Sequence, residues 1–480
     1  MGLENRMIQR AFVLSSALIA CFPIWLSANP ALPGGEATTD ISPFPSSMKP
    51  AANLPQKQKS AFHAGKALAH QPWVKAPSST TARDGLGPIY NARTCLACHI
   101  NGGKGVLPRD DKERLHQGIV RLSLPGKIDP KLGVRPVPHY GDQIQSQSIA
   151  LAHQLGEEIV AFQANDVRPE ANITLKWQTK PVTYPDGTTL TLRYPRPVLS
   201  NLHYGPLPDD TRLSLRNAPA LHGVGLLSLI PASELRANAK AQSAHTRISG
   251  RLNHVWDPVT QRLQIGRFGW KANQPSVEAQ TATAFRNDVG ITNPIFPEPP
   301  CETTQSQCLK GPHGNDREGV ELPQKLLDKV VDFTHQIGVP AARVQTSNQV
   351  KTGQRLFARL ECVVCHRPSY QTQPSDRYPN LANQTIWPYT DGLLHDMGEA
   401  LADGRPDFEA TGREWKTPPL WGVGLSKQIN GSGQLLHDGR ARTIEEAILW
   451  HGGEAQASRD AFMALPKFER KALIKFIETL

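Results

Sequence analysis

Two five-residue segments constrain this chain more than anything else in its 480 residues: Cys95-Leu96-Ala97-Cys98-His99 and Cys362-Val363-Val364-Cys365-His366. Both read Cys-x-x-Cys-His, the attachment signature of c-type haem. Cysteines three apart on a helical turn point to one side. From there both reach the vinyl groups of one porphyrin and close two thioethers. The histidine that follows is held beneath the iron and supplies an axial nitrogen. With 7 Cys and 16 His in the chain, chance alone would supply about 0.003 such segments. A thioredoxin-type redox pair wants a βαβ context and no obligatory histidine, and half of a zinc site wants a second pair nearby. Neither context is visible, so the pattern predicts two covalent haems held by Cys95, Cys98, Cys362 and Cys365, with His99 and His366 as iron ligands.

Haem c is attached outside the bacterial inner membrane, and the N-terminus agrees with export. Arg6 and Arg10 precede the apolar run Ala11 to Leu26, and Ser27-Ala28 offers a small-residue cleavage site. Residues 1–28 therefore read as a signal peptide and the periplasm as the destination. A competing cut follows Leu18-Ile19-Ala20, which would leave Cys21 as a lipidated first residue and tie the protein to a membrane; the apolar Phe22 to Leu26 argues against it. Pro23 makes the run a poor membrane span. The remaining cysteines, Cys301 and Cys308, fit a disulfide closing a short polar loop in an oxidising compartment. The formal charge of +10 comes without a long basic run or a nucleic-acid motif. It suits docking of a small acidic redox protein rather than nucleic acid, with an ordinary solvated surface as the plainer reading.

The high Pro (41) and Gly (38) counts predict a loop-rich protein. Residues 29–57 read as a flexible leader. Helical periodicity begins near Gln58 and runs through Ala69. Between Asn172 and Pro195 apolar and polar residues alternate around Pro185-Asp186-Gly187-Thr188, which predicts a β-hairpin. A second, irregular β region is expected from Arg247 to Trp270. A short helix is expected near Leu322 to Ile337, and a boundary near Gly338 separates an N-terminal unit, 58–338, from a C-terminal one, 339–480. Val350 to Leu360 predicts a helix leading into the second motif. Thr443-Ile444-Glu445-Glu446 has capping-box form, and Leu473, Phe476, Ile477 and Leu480 mark an apolar stripe.

Several stretches in order carry a resemblance: Asp84-Gly85-Leu86-Gly87-Pro88, Tyr140-Gly141-Asp142-Gln143-Ile144-Gln145, Gly266 to Ala272, Pro388 to Gly398, Thr417 to Gly422, Leu436 to Ala441 and Trp450 to Ala455. From about Gly85 onward the chain resembles the di-haem oxidoreductase family, also called thiol-oxidoreductase-like proteins, and more remotely the bacterial di-haem cytochrome c peroxidases. The resemblance implies a mainly α fold of two cytochrome c-like haem domains, with β-hairpin inserts in the first, and redox chemistry on peroxide. Two departures stand out. The family's acidic, glycine-rich run is replaced by Ala239 to Gly250, which has no carboxylate, so calcium is not expected there. A glutamate common in the family is Ser228 here.

The same resemblance places His451 where the peroxidases carry an axial methionine, making it the candidate sixth ligand of the second iron, with Met397 as competitor and a purely structural histidine as the alternative. His116 stands where a removable distal histidine is found. Gln143, Gln145, Arg216 and His222 are candidates for guiding O–O cleavage, each with a structural alternative, and Trp270 for relaying electrons between haems. Two functions follow: a periplasmic di-haem peroxidase-like oxidoreductase, or a non-catalytic di-haem electron-transfer cytochrome. A role in periplasmic iron handling is a third.

Overall fold

A computed structural model describes residues 32–42, 46–80, 83–150, 162–163, 165–343 and 346–480. Residues 1–28, read above as a signal peptide, and with them Cys21, lie outside the described residues. The fold corrects the mainly α expectation: 30% of the chain is helical and 18% is strand, and two cytochrome c-like domains are not seen. The reason lies in the chain between the motifs. Twelve-residue strands Asn172–Thr183 and Thr189–Ser200 form one long hairpin, and Gly118–Ser123 pairs antiparallel with Arg212–Asn217. Many two- to four-residue ladders tie down loops whose proline and glycine content forbids longer helices.

A helix stands before each motif and crosses a later helix. Gln56–His70 packs on Gln324–His335, and Asn348–Arg359 packs on Lys467–Thr479. Both crossings run through a glycine. A Cβ on Gly65 would sit 2.1 Å from the Lys329 carbonyl oxygen, and one on Gly353 would sit 2.0 Å from that of Ala472. Hydrogen at those two positions lets the backbones close, so that Phe62 meets Phe333 at 5.1 Å and Phe357 meets Phe476 at 5.4 Å between ring centres. Burying each such ring stabilises the fold by roughly 1.5–3 kcal/mol.

The predicted elements lie close to where the sequence put them. The first helix is Gln56–His70, and the second β region is the pair His254–Asp257 and Arg262–Ile265. The Thr443 hydroxyl caps its helix by accepting from the Glu446 N–H at 3.1 Å. The Glu446 carboxylate turns back to accept from the Arg442 N–H at 2.8 Å, one residue beyond the N-cap that the standard box uses. Leu473, Phe476, Ile477 and Leu480 are buried, and Cys301 is bonded to Cys308. Part of the stretch read as a leader is packed: Ala37, Met48, Ala51 and Leu54 are buried, and Thr38–Thr39 pairs parallel with Val339–Pro340.

Candidate haem-binding centres

Each motif folds as one helical turn, Cys95–Cys98 and Cys362–Cys365, with the four thiols free. The Thr94 hydroxyl anchors the first by donating to the Ala69 carbonyl at 2.7 Å, at the end of the preceding helix. The histidine that follows each turn makes the same bond. Nδ1 of His99 lies 2.6 Å from the Pro219 carbonyl oxygen, and Nδ1 of His366 lies 3.0 Å from that of Tyr389. A carbonyl only accepts, so Nδ1 carries the proton and the Nε2 lone pair is left bare, as a metal-ligating imidazole requires. Burial pushes both rings down to about 4, so they are neutral at pH 7.

The second motif opens on a largely apolar cavity with about 1420 Å³ between its walls, part of it open to solvent. Cys362, Cys365, His366, His451, Met397 and Trp270 all line it. His451 repeats the tautomer device: its Nδ1 donates to the Ala447 carbonyl at 2.7 Å, leaving Nε2 bare. Burial lowers its pKa too. Thus one cavity holds two thiols, two imidazoles with free Nε2 atoms and one thioether. These residues fit a porphyrin: apolar walls for the macrocycle and nitrogen or sulfur donors for its iron.

The other candidates are placed as follows. His116 is exposed, with its carbonyl 3.6 Å from the Cys98 sulfur. His222 is buried against the Trp421 carbonyl at 3.1 Å, and its Nδ1 has no partner among the described residues. Arg216 is committed to Asp407 at 2.7 Å inside a buried charge cluster. Gln143 donates to the Asn287 carbonyl and to Asp288 Oδ1, at 2.8 and 2.9 Å. Gln145 donates to the same carbonyl at 2.8 Å. Trp270 Nε1 donates to the Asn217 carbonyl at 2.8 Å, two residues from the carbonyl that holds His99.

Four groups escape sequence reasoning. Asp288, pushed up to about 6 by burial, acts electrostatically on both Cys95 and Cys98. His395 is clamped between Asp391 at 2.8 Å and Glu454 at 2.7 Å. Burial opposes its charge, but Asp391 and the Cys365 side raise its pKa well above the ordinary value. The donor atoms of Cys365, Asp391 and His395 lie close enough together to hold a metal ion; a thioether at Cys365 would commit that sulfur elsewhere. Trp415 stacks on His437 at 3.6 Å. Lys104 and Lys416 reach the cavity from loops distant in sequence. None of the four stands out in its own sequence context; apart from Asp391, four residues before His395, the partners that give each its character are brought to it by the fold.

Paired thiols followed by a tautomer-locked imidazole, twice over, with one pair opening on an apolar cavity, are the donor set of a haem redox protein. Residues 32–480 match the family model described as "Di-haem oxidoreductase, putative peroxidase". The chain belongs to the di-haem oxidoreductase family. No curated protein matches it. Among solved structures, Kuenenia stuttgartiensis hydrazine synthase, pressurised with xenon, is similar at 14% identity and a TM-score of 0.30, over 56% of this chain and 73% of that one.

Proposed function

We propose that the protein carries two covalently bound haems c, at Cys95/Cys98 and Cys362/Cys365, and reduces peroxide with electrons from a small redox protein in the periplasm. The observation that carries this is the shared Nδ1-to-carbonyl bond of His99 and His366, which presents a neutral Nε2 at a fixed angle beside each cysteine pair. Haem supplies one-electron ferric/ferrous chemistry. Hydrogen peroxide takes up two electrons and two protons to give two waters, so two centres in one chain match the electron count. His366 and His451, which line one cavity with Nε2 free, would both be available to hold the iron of the second centre, and a six-coordinate iron there would suit it to taking in electrons. Histidine is a stronger donor than a thioether, so this ligation sets a lower potential than a His/Met pair. Trp270 is bonded to the segment that orients His99 and lines the cavity of His366, which supports a relay role for its ring. Among the described residues no helix is long and apolar enough to cross a membrane; attachment at Cys21 would be the route to a membrane.

A second reading, a carrier with both irons six-coordinate, is favoured by one observation. Ser228, where the resemblance implies a glutamate, spends its hydroxyl on the Gly225 carbonyl at 2.6 Å and offers no carboxylate. Ferric-state EPR of the exported protein separates the two. The peroxidase reading expects one low-spin signal and one high-spin signal that exchanges water, with peroxide consumption after half-reduction. Two low-spin signals that persist under peroxide would leave the carrier. Fewer than two haems per chain after acid-acetone extraction would end both.

A further inference from the structure

Two lysines stand in the cavity of His366 and His451 without an ion-pair partner among the described residues; Glu361, the acid on the same wall, is taken by Arg247 at 2.5 Å. Lys104 and Lys416 both line it. Neighbouring buried cations are paired: Lys271 with Asp403 at 2.8 Å, Arg216 with Asp407 at 2.7 Å, Arg440 with Asp438 at 2.7 Å. Arg459, also on the wall, is taken by Asp460 at 2.7 Å. Neither Lys104 nor Lys416 has an ion-pair or hydrogen-bond partner for its ammonium among the described residues. Burial pushes both down to about 8, relieved at Lys416 only by the field of Asp391. Both side chains are half-buried, and holding an ammonium against apolar walls without a counter-ion is unfavourable. Two in one cavity make an arrangement that an anionic occupant completes.

We propose that Lys104 and Lys416 are the counter-ions of the two carboxylates of the porphyrin fixed at Cys362 and Cys365. This rests on the covalent-haem reading and adds to it which residues set the charge around the second centre. The backbone holds both lysines firmly. Lys104 lies in Gly102-Gly103-Lys104-Gly105, five residues after His99, where a Cβ on Gly105 would meet the Gln117 carbonyl oxygen at 2.3 Å. Its own carbonyl accepts from Asn430 Nδ2 at 3.0 Å. Lys416 sits on the strand Glu414–Lys416, and its N–H donates to the Trp270 carbonyl at 2.8 Å. The Lys104 ammonium lies 5.7 Å above the ring of that same tryptophan. Both lysine residues thus touch Trp270, Lys104 through its ammonium and Lys416 through its backbone, and one of them is carried by the loop of the other motif.

The test uses exported, haem-loaded protein: wild type, Lys104→Gln, Lys416→Gln, the Lys→Arg variant at each position, and Lys57→Gln as an exposed control. Pyridine haemochrome first establishes two haems per chain. Spectroelectrochemistry should then show the reduction equilibrium of one haem falling about tenfold for each glutamine, which is 59 mV for a one-electron couple, because an uncompensated carboxylate disfavours the added electron. Arginine should restore it, and Lys57→Gln should leave it unmoved. Acetylation of wild type, mapped by mass spectrometry, should spare Lys104 and Lys416 and modify Lys57, which decides the matter even if a variant fails to mature. Two haems with unmoved potentials and freely acetylated Lys104 and Lys416 would overturn the assignment while leaving the covalent haems standing. Potentials that move when acetate or succinate is added to wild type would assign the lysines to a carboxylate substrate and overturn it too. Absence of covalent haem would remove both.

Discussion

Asp407→Asn should cost about 3–5 kcal/mol of stability, the usual price of stripping one partner from a buried ion pair. Asp407 Oδ2 lies 2.7 Å from Arg216 and 2.9 Å from Arg405, with the three side chains 1%, 5% and 0% exposed. At an effective dielectric of 20 each contact is worth about 6 kcal/mol before desolvation. Asparagine keeps the shape but leaves two guanidinium groups facing a neutral amide. Arg405 also touches Asp142, which pairs with Arg121, so the cluster joins the segment after the first motif to the one after the second. Burial alone would raise the Asp407 carboxyl; Arg405 and Arg216 overcome it and hold the group far below the usual range. Its contribution is therefore fully present above the unfolded value of about 4. It is lost only as the pH falls through the depressed folded value, so the deficit of the variant should be flat from pH 5 to 8. Urea unfolding followed by tryptophan fluorescence measures it as a lower midpoint at unchanged slope. The control is Glu478→Gln on the exposed Lys475 pair, 3.3 Å apart, expected to cost about 0–1 kcal/mol. A deficit at Asp407 no larger than the control's would refute the reasoning.

Three further outcomes are expected. His451→Ala should convert one low-spin ferric signal to high spin while haem content stays unchanged; retention of the low-spin signal would transfer the sixth position to Met397 or another group. Gly353→Ala should destabilise the helix crossing by about 1–3 kcal/mol, because its Cβ would fall 2.0 Å from the Ala472 carbonyl oxygen; urea midpoints read it. Asp288→Asn keeps the bond from Gln143 and removes a carboxyl that burial pushes up to about 6. Wild-type stability falls as pH rises from about 4 to 6, since the folded state holds that proton longer than the unfolded chain. The variant should therefore be the more stable at pH 7.5 and lose its advantage below pH 4, as thermal unfolding at the two values will show.

The helical turn at each Cys-x-x-Cys-His segment was legible because it is local: five consecutive residues carry their own spacing. The hairpin was legible for the same reason, through alternation around Pro185-Asp186-Gly187. The balance of helix and strand was not. Strand Gly118–Ser123 pairs with Arg212–Asn217 across nearly a hundred residues, and its own sequence has too few alternating positions to announce a partner so distant. Arg216 illustrates a limit at the site. A charged residue in an apolar context suggests chemistry, yet its partners Asp403 and Asp407 lie nearly two hundred positions away, and only the fold reveals that it is neutralised. Lys104 is the converse case: nothing in Gly-Gly-Lys-Gly distinguishes a solvated surface lysine from one enclosed without an acid.

The two motifs lie 267 positions apart but are not independent in the fold. The Pro219 carbonyl orients His99. Two residues earlier, the Asn217 carbonyl accepts from Trp270, its N–H donates to the His437 carbonyl at 2.7 Å, and its side chain donates to the Gly105 carbonyl at 2.9 Å. Trp270 and His437 both line the cavity of His366. One tripeptide, Asn217 to Pro219, therefore fixes the imidazole of the first centre, the loop that carries Lys104, and two residues that line the second. Asn217 is 1% exposed, and its hydrogen bonds run in three directions. A displacement at either centre that shifts this segment must alter the other, because a close-packed interior transmits movement rather than absorbing it. Coupling of this kind needs no hinge: the same short stretch of backbone belongs to both sites.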